Sequence, residues 1–145
     1  MSGPSLDWIA EARDLITAPD ATLDTVAAWL GRGGDPSVER GSDSLRAGPG
    51  AVPGASTVTV TGKDGVPDSL AAWYAGETGP TLGEAEASLG EAQELPRLRA
   101  TPAQVAFPRF EGAAASCFLA ATTWDPAGNG GERRLFQLTL RRDPL

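Results

Sequence analysis

At 145 residues with a formal net charge of −7, the chain has the length of one domain, enough to bury a core without metals or disulfides. It contains no histidine, one cysteine (Cys117) and one lysine (Lys63), which excludes imidazole bases, His/Cys metal centres and internal disulfides. No stretch of eighteen apolar residues and no basic-then-apolar leader is visible, so the expected location is cytoplasmic, with no membrane partner.

Ser5 is placed to cap a first helix whose apolar positions Leu6, Ile9, Ala12, Leu15 and Ile16 follow the helical period, widened by Trp8 and stopped near Pro19. A second helix begins around Asp20 or Thr22, carries Leu23, Val26, Ala27 and Leu30 on one face, and ends at Gly31, Gly33 and Gly34. From Asp35 to Ser56 the chain is rich in Gly, Pro and Ser without apolar periodicity, and a long mobile loop is expected over 35–56 within a single domain, 1–145.

The alternating Thr57-Val58-Thr59-Val60-Thr61 predicts a half-buried strand, and Lys63-Asp64-Gly65 a turn. Residues 69–75 fit two readings, a short helix capped by Asp68 or the return strand of a hairpin. Thr81 and Glu84 form a capping-box pair that opens a third helix, closed by Gly90 after Leu89. The remainder reads as sheet. One strand is expected over Gln104 to Phe110, at an edge because Pro108 deletes a backbone donor; a central strand over Ala115 to Trp124, apolar on both faces; and a last strand over Glu132 to Arg142. In the last strand Phe136, Leu138 and Leu140 share the face expected to meet the core.

Charge is uneven along the chain: the balance is −10 through Pro96 and +3 from Arg97 onward. The two parts either neutralise one another in the fold or leave a basic edge for an acidic partner. Arg133, Arg134, Arg141 and Arg142 have the chemistry to meet phosphates, yet a sequence pI near 4.5 argues against a nucleic-acid partner.

Catalytic inventories fail one by one. Lys63 lies in a predicted turn without Ser-x-x-Lys spacing, Glu84 and Glu86 point to different sides of their helix, and no calcium-loop or phosphate-loop motif occurs. Gly31-Arg32-Gly33-Gly34 follows a helix instead of opening one, and Cys117 sits mid-strand as a buried thiol. No cofactor is expected. The aromatic residues are the best remaining indication of a surface. Ser116, Phe118, Ala120, Thr122 and Trp124 share one face of the central strand and Cys117, Leu119, Ala121 and Thr123 the other; only one of the two need meet helices, and the other is either covered, its rings completing the core, or left for a partner. Trp124, Phe118, Trp73, Tyr74 and Arg141 are therefore the candidate partner contacts, being the residue types that dominate interfaces.

Thr22 to Gly31 (TLDTVAAWLG) and Thr81 to Gly90 (TLGEAEASLG) share five of ten residues, each copy leading into β structure. The pattern of a short helix ending in Leu-Gly, a loop and antiparallel strands resembles the tandem repeat of β-lactamase inhibitory proteins and small outer-membrane assembly lipoproteins. That resemblance implies a non-enzymatic protein gripping partners with an exposed sheet face. The expected fold class is α+β, with helices packed on one face of an antiparallel sheet, either as one unit or as two related α-then-β halves. The expected function is non-catalytic protein binding: an inhibitor, an immunity-type protein or an accessory subunit of a bacterial assembly. Two alternatives stay open, a carrier holding a small apolar ligand between sheet and helices, and a carboxylate-dependent enzyme in which Glu84, Glu111 or Asp125 converge.

Overall fold

A computed structural model describes residues 5–31, 38–75, 78–95, 104–112, 114–124 and 133–144. Helix α1 (Trp8–Thr17) and helix α2 (Leu23–Leu30) form where the apolar period places them, burying Trp8, Ile9, Ala12 and Ile16 from one and Leu23, Val26 and Leu30 from the other. Ser5 does not cap α1 as expected: the N-cap is Asp7, without a side-chain cap bond, and the Ser5 hydroxyl accepts the Asp7 N–H at 3.3 Å ahead of the helix. Thr22 caps α2 through a reciprocal exchange with Thr25, and Gly31 closes it.

The 35–56 region is not a bare loop. From Val38 on it holds strands β1 (Val38–Arg40) and β2 (Ser44–Ala47), and it buries Leu45, Ala47, Ala51, Val52 and Ala55. Four residues, Ser44-Leu45-Arg46-Ala47, carry the whole alternation, too short a run to stand out among glycines and prolines. Residues 35–37 of the expected loop lie outside the described residues.

Strands β3 (Thr57–Lys63) and β4 (Val66–Trp73) settle the 69–75 ambiguity in favour of the hairpin return. Their two-residue turn places Asp64 (φ 53°) and Gly65 (φ 80°) in the left-handed region, the geometry that matches strand twist and that Asp-Gly favours. The Gly65 carbonyl then accepts the Leu23 N–H at 2.8 Å, docking α2 onto the hairpin.

Helix α3 (Leu82–Leu89) starts from the expected capping box: the Thr81 hydroxyl accepts the Glu84 N–H and the Glu84 carboxylate accepts the Thr81 N–H, each at 3.1 Å. Thr81→Ala removes one half of that exchange, and we expect a loss of about 1 kcal/mol in urea unfolding. A loss below a quarter of that would mean that the exchange contributes little to holding α3.

The C-terminal part contributes β5 (Gln93–Glu94), β6 (Gln104–Ala106), β7 (Phe110–Glu111), β8 (Ala115–Trp124) and β9 (Arg134–Pro144). The single strand expected over 104–110 is two, because Pro108 interrupts the ladder instead of lying within an edge strand. All pairings are antiparallel, in the order β1-β2-β3-β4-β9-β8-β6-β5, with β7 also on β8. The fold is α+β, and β8 is interior as expected, paired with β9 on one side and with β6 and β7 on the other.

A register shift between Thr122 and Thr123 leaves Phe136 as the extra residue of β9 and brings Leu135 onto the core side. Leu135, Leu138 and Leu140 are fully buried, while Phe136 is only half-buried, which corrects the expected Phe136–Leu138–Leu140 face. Among the described residues no helix is long and apolar enough to cross a membrane.

Candidate functional site

Strand alternation divides the sheet into two surfaces of different chemistry. On one, the register aligns Leu119, Leu140, Leu70, Val60 and Leu45 in one row and Val105, Ala121, Leu138, Ala72, Val58 and Ala47 in the next. All are buried, and α1 and α2 pack on this side. Trp8 and Trp29 meet there with ring centroids 6.3 Å apart.

The opposite surface carries small and polar side chains. One row runs Thr57–Trp73–Gln137–Thr122–Gln104, a second Thr59–Ala71–Thr139–Ala120–Ala106, and a third Thr61–Ser69–Arg141–Phe118. Trp73, 38% exposed, is the one large apolar side chain standing in solvent among the described residues. Its neighbours in the row are a threonine and a glutamine, whose Oε1 accepts a bond from the Thr122 hydroxyl at 3.2 Å.

At the far end of this surface Asp143 organises a charged cluster. Arg141 reaches its two carboxylate oxygens at 2.9 and 3.3 Å, and Arg109 reaches one at 3.2 Å while donating to the Ser116 hydroxyl at 3.3 Å. The Arg141 guanidinium also lies 4.9 Å from the Phe118 ring centroid. Hydrogen bonding to Arg141 holds the Asp143 carboxyl below its ordinary range and raises the guanidinium in return. The pair is solvent-exposed, so its contribution to stability is small.

Of the five sequence-predicted contacts, the structure brings Trp73, Phe118 and Arg141 onto one surface. Phe118 is half-buried and Arg141 already paired, so Trp73 is the most available of the three. Tyr74 is corrected: one residue past Trp73, it points to the opposite side and is 4% exposed in the core. Trp124 pairs with Arg134 through its backbone, and its side chain lies outside the described residues. Arg109 and Asp143 were not legible as part of this surface, because the break at Pro108 that positions Arg109 leaves no periodic signal.

The carboxylates named for catalysis do not converge. Glu84 caps α3 beside the Thr81–Arg134 bridge, next to Trp124, whereas Glu111 pairs with Ser116 at the other end of β8, about 25 Å away at the usual strand rise. Asp125 lies outside the described residues, which hold no cluster of three or more potential metal ligands. The basic C-terminal part is neutralised partly within itself, at Arg109 and Arg141 with Asp143, and partly across the chain, by Arg133 with Glu94.

Two buried acids titrate late. Burial pushes the Cys117 thiol from 9.0 up to about 11, against a smaller opposing effect of Arg13, and the Tyr74 hydroxyl from 10.0 up to about 12. Above the unfolded values the unfolded chain releases these protons while the folded one keeps them. Stability is therefore complete below pH 9, falls between pH 9 and 11 on account of Cys117 and between pH 10 and 12 on account of Tyr74. Urea midpoints measured from pH 8 to 12 should show this decline, with Tyr74→Phe flattening its upper part; an unchanged slope in that variant would contradict the assignment.

No protein-family profile matches the chain, and comparison with curated proteins and with solved structures finds no match.

Proposed function

We propose that this chain is a non-catalytic, cytoplasmic protein-binding module that docks the sheet surface opposite α1 and α2 against another protein, as an inhibitor, immunity-type protein or accessory subunit. The observation that carries the reading is Trp73: an indole 38% exposed on a strand paired on both sides, between Thr57 and Gln137 in its own row and beside Ala71 and Thr139 in the next. Phe118 and Arg141 extend the contact along the same surface.

We include in the proposal that the chain comprises two related α-then-β halves. In support, α2 and α3 both open on a threonine capping box and end in Leu-Gly, and each leads into antiparallel strands of one sheet. This is the arrangement that the likeness to inhibitory-protein repeats implies.

The test is capture of a stoichiometric protein partner by the intact chain and its loss in one variant. Trp73→Ala should weaken binding by about 30-fold or more, the effect of a central aromatic contact, while shifting the melting temperature by no more than about 2 °C. Equal capture by both proteins, or an unfolded Trp73→Ala protein, would exclude Trp73 as the contact.

A further inference from the structure

The β1/β2 hairpin extends the open surface by two strands and adds a feature outside the Trp73–Phe118–Arg141 region. Register places Glu39 directly opposite Arg46, on the side of the sheet shared with Thr59 and Ala71. Residues so paired have Cβ atoms about 5 Å apart, close enough for their charges to bond one another. Among the described residues they do not, and neither is bonded to any third group. The contrast with the adjacent arginine is direct, since Arg40 is paired with Asp24.

Both charges border a cavity of about 460 Å³ whose remaining walls are Ala47, Gly48, Pro49, Ser56 and Thr57. Gly48, the next position after the Ala47–Val58 pair, lines this space, and a Cβ there would meet nothing within 4 Å. Ser56 donates its hydroxyl to the Trp73 carbonyl at 3.1 Å, whereas the Thr57 hydroxyl has no partner among the described residues.

A site with one full positive and one full negative charge is selective by its neutrality. A simple anion gains from Arg46 what it loses to Glu39, a simple cation the reverse, and an apolar solute would strip water from both. A molecule that carries a carboxylate and an ammonium group close together satisfies both at once. We propose that this cavity binds a small zwitterion of the α-amino-acid class. Its carboxylate is taken by the Arg46 fork and the Thr57 hydroxyl, its ammonium group by the Glu39 carboxylate, and a small side chain lies toward Pro49. The proposal does not depend on the protein-docking reading: Glu39 and Arg46 lie outside the Trp73–Phe118–Arg141 contacts, and of the groups that hold the zwitterion only Thr57 also borders Trp73.

The test is a titration of the full chain followed by amide chemical shifts, with glycine and alanine as probes and acetate, methylammonium and glucose as controls. Expected are saturable shifts at Glu39, Arg46, Gly48 and Thr57 with millimolar affinity for both amino acids, and binding of every control weaker by about tenfold or more. Glu39→Gln and Arg46→Gln should each weaken glycine binding by about tenfold or more, with the rest of the spectrum unchanged because both side chains are exposed. No saturable shift with either amino acid would overturn the proposal. So would equal responses to acetate or glucose, or unaltered glycine binding in either variant.

Discussion

Leu140→Ala is expected to lower stability by about 3–4 kcal/mol, a large share of what a domain of this size has. Leu140 lies in the middle of β9 with Leu119 on one side and Leu70 on the other, all three essentially without solvent exposure. The row continues through Val60 to Leu45, so the void left by three missing carbons is walled by a fully paired sheet that cannot collapse into it. Thr139, one residue earlier, faces the other surface, and Thr139→Ala should cost less than about 0.5 kcal/mol. Urea unfolding of both variants measures the difference. Comparable losses would mean that the two surfaces are not divided as described.

The second large effect is expected at a glycine that no sequence pattern singles out. Gly79 lies against the edge of β9: Arg134 donates to its carbonyl at 2.8 Å, and the next carbonyl, of Pro80, accepts the Leu135 N–H at 2.9 Å. A methyl group at this position would collide with the Leu135 carbonyl oxygen and stand 3.1 Å from the Tyr74 Cβ. The obstruction is backbone in a central strand, so relief requires the 79–81 segment to lift off β9 and give up those bonds. Gly79→Ala should cost about 3 kcal/mol. Gly48→Ala, into open space, should leave stability unchanged within about 0.5 kcal/mol. Equal urea midpoints for the two alanine variants would refute the close approach.

Legibility in the sequence followed the length of the periodic signal. Helices α1, α2 and α3 and strands β3, β8 and β9 were readable because each carries at least one clear device: an apolar stripe, a threonine cap, a β-branched alternation or a long apolar run. Strands β1 and β2 were not, since three- and four-residue elements between glycines and prolines leave too few positions to show a period. The Phe136 bulge was invisible for another reason. It depends on how β9 meets Thr122 and Thr123 across the ladder, and one extra residue reverses which side chains face the core.

The candidate surface was legible in part on the same grounds. Alternation along β8 and β9 placed Phe118 and Arg141 together, but Trp73 and Tyr74 could be assigned to opposite sides only once residues 69–75 were known to be a strand. Glu39 opposite Arg46, and Arg109 beside Asp143, are products of register and of a broken strand, and neither relation exists in one dimension.

The most direct test of the binding account is hydroxyl-radical footprinting of the chain alone and in its captured complex, read at each tryptophan by mass spectrometry. Trp8, buried beneath the sheet, should react little in either state, and Trp73 should be modified in the free chain and protected in the complex. Protection that falls on α1 or α2 while Trp73 stays reactive would contradict the account, because the partner would then sit on the side of the molecule that the fold has already covered.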